Sequence, residues 1–315
     1  MKAQLRIVAI GVLMGIVEIV PGVSGGTVAF ISGIYERLIN GLKRFTPRLL
    51  VELKHRGFKG VWSWLDATFL LMLFGSMGLS VFVFANAVSY LLVNEPIGVR
   101  AFFFGLVLAS GWVIGRQIEK PDFEIGIAFS AGLAIGLFLV KLAPLELEPS
   151  LFTLFLGGMF AVCAWILPGI SGSFILLILG LYSVVLEAIT TFDILSIVCL
   201  ACGCVLGLVS FARILSHLFA RFRRLTLSVL TGFMLGSLLK LWPWSQTMSY
   251  QLNADGSAIP LVEERLLPLN FEMTTGQDAD IVMAALAALS GCILVILLES
   301  LARRSRKKYS ILNAE

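Results

Sequence analysis

The chain has 315 residues, of which 58% are hydrophobic and 14% charged, with a formal net charge of +4 and a mean hydropathy of +0.94. This composition excludes a soluble globular protein and predicts an integral membrane protein with several spans. The basic residues lie near span ends, so nucleic acid is not an expected partner. The two histidines have no metal-like spacing, the cysteines lie in apolar segments and there is no P-loop, so neither a metal nor a cofactor is expected.

The first element is an apolar run from about Leu5 to Ile34 that proline and glycine interrupt in its middle. Its length exceeds the roughly 20 helical residues that cross a bilayer core. Pro21 removes a backbone donor and Gly22 tolerates unusual dihedral angles, so a helix break is predicted at bilayer depth. The helix that resumes would present N–H groups and a partial positive charge to the gap, which favours an anion. The residues assigned to this anion site are Ser24, Gly25, Gly26 and Thr27, with Ser24 and Thr27 as natural helix caps.

A basic segment follows the first motif. Residues 37–66 contain seven Lys/Arg against two acids and end near two tryptophans, which is typical of a segment at the membrane interface. Arg37, near the mouth of the first motif, is a candidate for substrate binding, with an interface role as its alternative. Other cations near predicted span ends are Arg100, Lys141, Arg213 and Lys240. Each is either an interface residue or a step on the path of a phosphate group.

The same motif occurs again 147 residues later. Pro168, Gly169, Ile170, Ser171, Gly172 and Ser173 repeat the order of residues 21–26, and residues 105–110 recur at 232–237. The chain is therefore predicted to be a single membrane domain over 1–315, with repeat half 1 at 1–145, repeat half 2 at 150–301 and a basic cytoplasmic tail at 302–315. Paired Pro/Gly breaks in two halves point to a transporter's binding site. Ser171, Gly172 and Ser173 thus join the predicted binding residues, and Pro21, Gly22, Pro168 and Gly169 are predicted structural breaks.

Charge indicates the orientation of the spans. Full spans are predicted at 67–93, 99–115, 125–143, 194–217, 225–241 and 281–301, and the 242–280 loop is acidic. If each motif region enters and leaves on one side, 20 of the 24 Lys/Arg lie on the cytoplasmic side with both termini. The predicted fold is an all-α polytopic membrane protein. It is an inverted-topology tandem repeat in which each half is a re-entrant broken helix hairpin plus three transmembrane helices.

Among the individual residues of the chain, Glu18 is the strongest candidate for a functional role. A carboxylate one turn before a break at bilayer depth is costly and is usually functional. We expect it to couple transport to H⁺ or Na⁺; the alternative is a neutral or arginine-paired structural group. The second half has Trp165 at the equivalent position, so any acid role is asymmetric. The serines of the motifs have a similar alternative, since they could satisfy only freed backbone groups.

The paired motifs resemble those of the bacterial polyprenyl-phosphate transporter family (PopT), long catalogued as a membrane domain of unknown function. The resemblance is carried by residues 18–27, 33–36, 166–173 and 180–182 and extends over essentially the whole chain. It implies a flippase of the plasma membrane that recycles undecaprenyl phosphate from the outer to the cytoplasmic leaflet for cell-envelope synthesis. The implied partners are the polyprenyl-phosphate lipid and membrane lipids, with a homo-oligomer possible.

Two other functions stay open at this point. A secondary transporter of a small soluble anion would show the same helix N-termini. The paired motifs also resemble the re-entrant hairpins of membrane lipid-pyrophosphate phosphatases. In that family an arginine binds the phosphoryl group, and this chain has Gly25 and Gly172 at the corresponding positions. The chain is therefore expected not to be an enzyme.

Overall fold

The computed structural model describes residues 2–20, 22–120, 122–142, 145, 147–252 and 258–312. Its first-half helices are α1 (Lys2–Glu18), α2 (Gly25–Ile31), α3 (Tyr35–Leu42), α4 (Arg48–Leu65), α5 (Ala67–Asn94), α6 (Pro96–Gly115) and α7 (Phe123–Lys141). The second-half helices are α8 (Leu151–Ile166), α9 (Gly172–Ile178), α10 (Tyr182–Thr190), α11 (Ile194–Arg221), α12 (Arg223–Ser237), α13 (Pro268–Thr275) and α14 (Ile281–Leu312). A 3-10 turn (Leu238–Leu241) and the strands β1 (Ser245–Leu252) and β2 (Ala258–Arg265) lie between α12 and α13.

Six helices in the described part of the chain are long and apolar enough to cross a membrane. They are α5, α6, α7, α11, α12 with the 3-10 turn that follows it, and α14 as far as Ser300. These helices coincide with the six full spans predicted from the sequence. The chain is therefore a multi-pass, mainly helical membrane protein, as its composition predicted.

The same elements recur in both halves in the same order. α1, α2 and α3 correspond to α8, α9 and α10, and α5, α6 and α7 correspond to α11, α12 and α14. α2 and α9 both have 7 residues, and α5 and α11 both have 28. α9 and α10 meet at an angle of 110°, with Gly180 at φ +70° in the bend and Gly33 at +72° between α2 and α3. The opposite orientation of the two halves in a membrane, and their re-entrant course, stay predictions.

The last span of each half packs against a helix of the other half. α7 of the first half packs along α12 of the second, and α14 of the second half packs along α6 of the first. Corresponding glycines make both crossings close: a Cβ on Gly105 would lie 2.0 Å from the carbonyl oxygen of Ala288, and one on Gly232 would lie 2.1 Å from that of Phe129. Small residues at such crossings let helices approach without a side chain between them. The largest hydrophobic cluster accordingly draws on both halves.

The 242–280 loop differs from the all-helical prediction. β1 and β2 pair in an antiparallel hairpin that begins with Ser245 opposite Arg265. The indole of Trp242 donates to the Leu266 carbonyl at 2.7 Å, and that of Trp244 donates to the Ala279 carbonyl at 2.7 Å. A two-stranded hairpin is marginal alone, so these tertiary contacts stabilise it. Because the hairpin depends on contacts between distant residues, its strands could not be predicted from the local sequence.

Candidate functional site

The first predicted break lies between α1 and α2. α1 ends at Glu18 and α2 begins at Gly25, while Pro21 lies outside the described residues. Gly22 adopts φ +91°, a conformation that residues with a Cβ rarely take. Ser24 caps α2, since its hydroxyl accepts the Gly26 N–H at 3.0 Å. Thr27 lies inside α2, so its predicted role as a cap is wrong.

The carboxylate of Glu18 occupies the N-terminal end of α2. Its Oε2 accepts the Gly25 N–H at 2.9 Å, and the Trp165 indole donates to the same carboxylate. The carboxylate therefore stands where an anion was predicted from the sequence, and it meets the positive end of the helix. An incoming anion has to displace this carboxylate or bind when its charge is neutralised.

The second predicted break lies between α8 and α9. Gly169 adopts φ +101° there, close to the value at Gly22. Ser171 caps α9 by accepting the Phe174 N–H at 3.3 Å. The hydroxyl of Ser173 lies 3.2 Å from that of Ser171. The two breaks thus have the same local construction, with a glycine of positive φ two residues before a serine cap.

The two breaks contact each other through hydrogen bonds. The Gly22 N–H donates to the Ser171 hydroxyl at 3.4 Å, and its counterpart, the Gly169 N–H, donates to the Thr27 hydroxyl at 3.0 Å. Ser24 donates to the Trp165 carbonyl at 2.8 Å. We call this contact region the junction; its residues are Gly22, Ser24, Thr27, Trp165, Gly169 and Ser171. The hydroxyl-bearing side chains of the junction are buried, so the structure brings these predicted binding residues together inside the protein.

A cavity of about 320 Å³, here cavity A, reaches the breaks from one side. Its apolar lining consists of Val20, Leu92, Phe174, Leu177 and Leu241. Its polar lining consists of Arg100, Ser173, Tyr182, Lys240 and Glu263. Val20 belongs to the first break, Ser173 to the first turn of α9 and Glu263 to β2, so the cavity extends from the breaks to the β-hairpin. Apolar walls with a few convergent charges are typical of a site for an amphipathic ligand.

Four charged residues converge beside cavity A. Glu263 Oε1 lies 2.7 Å from Arg100 Nη2, and Glu263 Oε2 lies 2.7 Å from Lys240 Nζ. The side chain of Glu263 is only 5% exposed. Arg265, two residues further along β2, donates to the Leu239 carbonyl at 2.9 Å and lies within electrostatic range of Arg100 and Glu263. Two cations thus share one carboxylate, and a third cation lies nearby; we call these four residues the basic cluster.

The electrostatics of the basic cluster follow from burial and from its own charges. Burial raises the pKa of Glu263, but Lys240 and Arg100 outweigh burial and hold that pKa below its ordinary value. Burial lowers the pKa of Arg265, Glu263 opposes this change, and the positive charge of Arg100 adds to it. Glu263 is therefore ionised at neutral pH, and the cations retain positive charge that it does not balance.

A second cavity, cavity B, has a volume of about 220 Å³ and lies at the corresponding place in the other half. Tyr35 lines it as Tyr182 lines cavity A, and Ile114 lines it as Leu241 lines cavity A. Here too an arginine is paired with a carboxylate, since Arg223 lies 3.0 Å from Glu36. The Tyr35 hydroxyl is buried and has no hydrogen-bond partner in the described structure. Cavities A and B thus lie at equivalent positions of the repeat.

Arg37 lies apart from these features. Its guanidinium pairs with Asp66 at 2.6 Å and stacks over the Phe69 ring at 4.2 Å. It lines neither cavity A nor cavity B. Within the described residues there is also no group of three His, Cys, Asp or Glu side chains that could hold a metal ion.

Sequence reasoning found the breaks but only part of the basic cluster. Arg100 and Lys240 were noted as cations near span ends, each with an interface role as the alternative. Glu263 and Arg265 were not singled out. The available signal was Arg265 itself, the lone basic residue in an otherwise acidic loop.

Comparison with known proteins identifies the family. A family described as undecaprenyl phosphate translocase-like matches residues 14–259. A polyprenyl-phosphate transporter of Vibrio cholerae serotype O1 is 43% identical over 93% of this chain and 96% of its own length. This chain belongs to the undecaprenyl phosphate translocase-like family. The resemblance seen in the paired motifs is thereby confirmed.

A second relative, and the range of residues that the family match covers, add detail to this assignment. A polyprenyl-phosphate transporter of Staphylococcus aureus is 28% identical over 74% of this chain and 84% of its own length. No solved structure is found to match the chain. The range matched by the translocase-like family contains both breaks, Arg100 and Lys240, and it ends before Glu263 and Arg265. The relatives are named as transporters and not as enzymes, in agreement with the expectation for this chain.

Proposed function

We propose that this protein transports a polyprenyl phosphate, specifically undecaprenyl phosphate, from the outer to the cytoplasmic leaflet of the bacterial plasma membrane. Family membership and the transporter names of two relatives support the substrate class. The positive-inside distribution supports a cytoplasmic location of both termini. In this role the protein would return the lipid carrier for another round of cell-envelope synthesis.

The observation that carries the mechanism is the contact between the two breaks at the junction, together with cavities A and B at equivalent positions of the two halves. In the proposed alternating-access cycle, the phosphate is bound near the junction while cavity A is open, and it leaves through cavity B after the hairpins rock. The proposed donors, in the junction and in the adjoining first turns of α2 and α9, are Ser24, Gly25, Gly26, Thr27, Ser171, Gly172 and Ser173. Arg37 is left out of this path because its ion pair with Asp66 uses its guanidinium elsewhere. The lipid tail stays in the bilayer throughout.

Glu18 provides a physical route to ion coupling. Its carboxylate accepts the Gly25 N–H, one of the donors that the phosphate needs. Two anions cannot share one small buried site at low cost. Protonation of Glu18, or binding of Na⁺ beside it, removes this repulsion, so that phosphate binding is favoured together with H⁺ or Na⁺.

The direct test is reconstitution of the purified protein into liposomes that contain undecaprenyl phosphate. The exposed phosphate in the outer leaflet is measured with a membrane-impermeant phosphate-binding probe. We expect accelerated transbilayer movement, and its loss in Gly172→Val, since a Cβ on Gly172 would lie 2.7 Å from the Ala161 carbonyl oxygen. Gly75→Val in α5 is the matched control, because a Cβ on Gly75 meets nothing within 4 Å.

A second arm of the same experiment tests the competing function. Uptake of radiolabelled inorganic phosphate is measured in liposomes without polyprenyl phosphate. Uptake of this anion without any acceleration of lipid movement, under imposed H⁺ and Na⁺ gradients, would establish a transporter of a small soluble anion instead.

A further inference from the structure

The basic cluster has more positive charge than its own residues balance. Arg100, Lys240 and Arg265 carry three positive charges, and Glu263 carries one negative charge, which leaves a net charge of +2. Lys240 and Glu263 are 13% and 5% exposed at the side chain, and Arg100 is 25% exposed. Partly buried cations in excess are costly unless an anion joins them. The cluster therefore favours an anionic ligand.

We propose that cavity A is the loading site for the phosphate monoester of the lipid, bound by Arg100 and Lys240, and that Glu263 is a resident counter-anion that the phosphate displaces. This inference rests on the proposed function and adds charged binding residues that lie outside the two breaks.

Charge and shape select a phosphate monoester as the ligand. A phosphate monoester carries about −1.5 to −2 charges at neutral pH, which matches the two positive charges that Arg100 and Lys240 present once Glu263 has moved away. The guanidinium of Arg100 suits two phosphate oxygens, and Lys240 adds a point charge. Lys240 Nζ also lies 5.1 Å from the centroid of the Phe174 ring, so the charged and apolar walls of cavity A adjoin each other. A phosphate head group with a polyprenyl chain attached can contact the charged wall and the apolar wall at the same time.

The placement of Glu263 supports displacement. The carboxylate bridges Arg100 Nη2 and Lys240 Nζ with one oxygen each, as two oxygens of a phosphate would. It lies on β2 of a two-stranded hairpin, whereas Arg100 and Lys240 lie at the ends of predicted spans. Rotation of one glutamate side chain thus frees both cations without moving a spanning helix. At cavity B the carboxylate of Glu36 pairs with a single cation, Arg223, and both side chains are about half exposed.

Binding of farnesyl phosphate to the purified full-length protein in detergent tests the proposal by isothermal titration calorimetry. Inorganic phosphate and farnesol are titrated in parallel to separate the lipid-phosphate ligand from free phosphate and from the apolar chain. Lys240→Met is compared with Lys141→Met, since Lys141 is an exposed cation at the end of α7. Glu263→Gln is compared with Glu264→Gln, since Glu264 is the exposed neighbour on β2. Gel filtration and the ligand-free melting temperature report folding, and Lys240→Arg tests rescue.

We expect Lys240→Met to weaken farnesyl phosphate binding about tenfold or more, because a charge-assisted hydrogen bond is lost. Lys240→Arg should keep binding, and Lys141→Met should leave it unchanged. Glu263→Gln should tighten binding, because the competing carboxylate is removed, while Glu264→Gln has no effect.

Three results would overturn the loading site. The first is an equal affinity of Lys240→Met and Lys141→Met for farnesyl phosphate. The second is unchanged or weaker binding of farnesyl phosphate by Glu263→Gln. The third is an equal affinity of the wild-type protein for farnesyl phosphate and inorganic phosphate. Failure of the wild-type protein to move undecaprenyl phosphate in liposomes would instead refute the transport function. Transport that is intact in both Lys240→Met and Glu263→Gln would refute only the loading site.

Discussion

Glu18 and Trp165 occupy the same position in the two halves of the chain, and they are hydrogen-bonded to each other. The repeat is therefore asymmetric at its centre: one half supplies an acid and the other supplies a neutral donor to it. The Gly25 N–H donates to the same carboxylate at 2.9 Å. Glu18 thus has no acidic counterpart in the second half, so a coupling step that uses it involves one charge and not a symmetric pair.

Replacement of Glu18 by Gln should separate coupling from binding. The amide oxygen can still accept the Gly25 N–H, but the side chain has no charge to neutralise. We expect lipid movement in liposomes to lose its dependence on an imposed H⁺ or Na⁺ gradient while farnesyl phosphate still binds. Glu187→Gln, an exposed acid on α10, is the control and should keep the gradient dependence. Full coupling in Glu18→Gln would remove Glu18 from the mechanism.

The serine caps of the junction should matter more for transport than for folding. Loss of an N-cap costs about 0.5–2 kcal/mol, and Ser24 and Ser171 also accept or donate across the junction. We expect the Ser24→Ala/Ser171→Ala double variant to lower lipid transport well beyond its decrease in apparent melting temperature. Ser150→Ala is the matched control, because Ser150 caps α8 with an exposed hydroxyl that accepts the Thr153 N–H. If the loss of lipid transport in each variant were proportional to its decrease in melting temperature, the serines would have a purely structural role.

Gly169→Ala should destabilise the protein strongly. Gly169 has φ +101°, and an added Cβ would lie 2.5 Å from the Ser237 hydroxyl and 2.9 Å from the Met234 Cα. The unfavourable dihedral and the overpacking together cost about 2–4 kcal/mol. A fluorescence-detected melting curve in detergent measures this loss. Gly126→Ala in α7, where a Cβ meets nothing within 4 Å, should match or exceed wild-type stability; an equal loss in both variants would contradict the assignment.

Tyr35→Phe should affect transport without reducing stability. The Tyr35 side chain is 2% exposed and its hydroxyl has no partner in the described structure, while its ring lies 4.7 Å from that of Phe30. Phenylalanine keeps the ring contact and removes an unsatisfied polar group, which costs about 1–3 kcal/mol when buried. We expect an unchanged or higher melting temperature and slower lipid transport, if the hydroxyl meets the phosphate in cavity B. The exposed Tyr250→Phe is the control; wild-type transport in Tyr35→Phe would remove that contact from the path.

The sequence was sufficient to predict the breaks because their causes are local. Proline and glycine disfavour a helix wherever they occur, and the serine caps follow from side-chain reach within three residues. The six spans follow from runs of apolar residues, which need no knowledge of packing. The repeated blocks at 105–110 and 232–237 indicated a duplication, but neither the close helix crossings at their glycines nor the exchange of partners between the halves was predicted.

The basic cluster could not be predicted because its members come from different elements. Arg100 lies on α6, Lys240 follows α12, and Glu263 and Arg265 lie on β2. Only folding brings Arg100, Lys240 and Glu263 within hydrogen-bonding distance of each other and Arg265 within electrostatic range, and the hairpin that carries two of them depends on tertiary contacts. Each residue alone resembles an ordinary charged group near a membrane surface, so the pattern exists only in three dimensions.

The acid stability of the protein should report on Glu263. Its folded-state pKa lies below the ordinary value of 4.5, so its carboxylate stabilises the fold above that pH. This contribution is lost as the pH falls through the lower folded-state pKa. At pH 7, Glu263→Gln should lower stability by roughly 3 kcal/mol, because buried cations lose their partner. The difference in melting temperature from wild type should stay constant between pH 7 and about pH 5 and shrink below about pH 4.5. Glu264→Gln should follow the wild-type curve throughout, and a Glu263→Gln difference that persists unchanged to pH 3 would show that the paired carboxylate is not the source of the stabilisation.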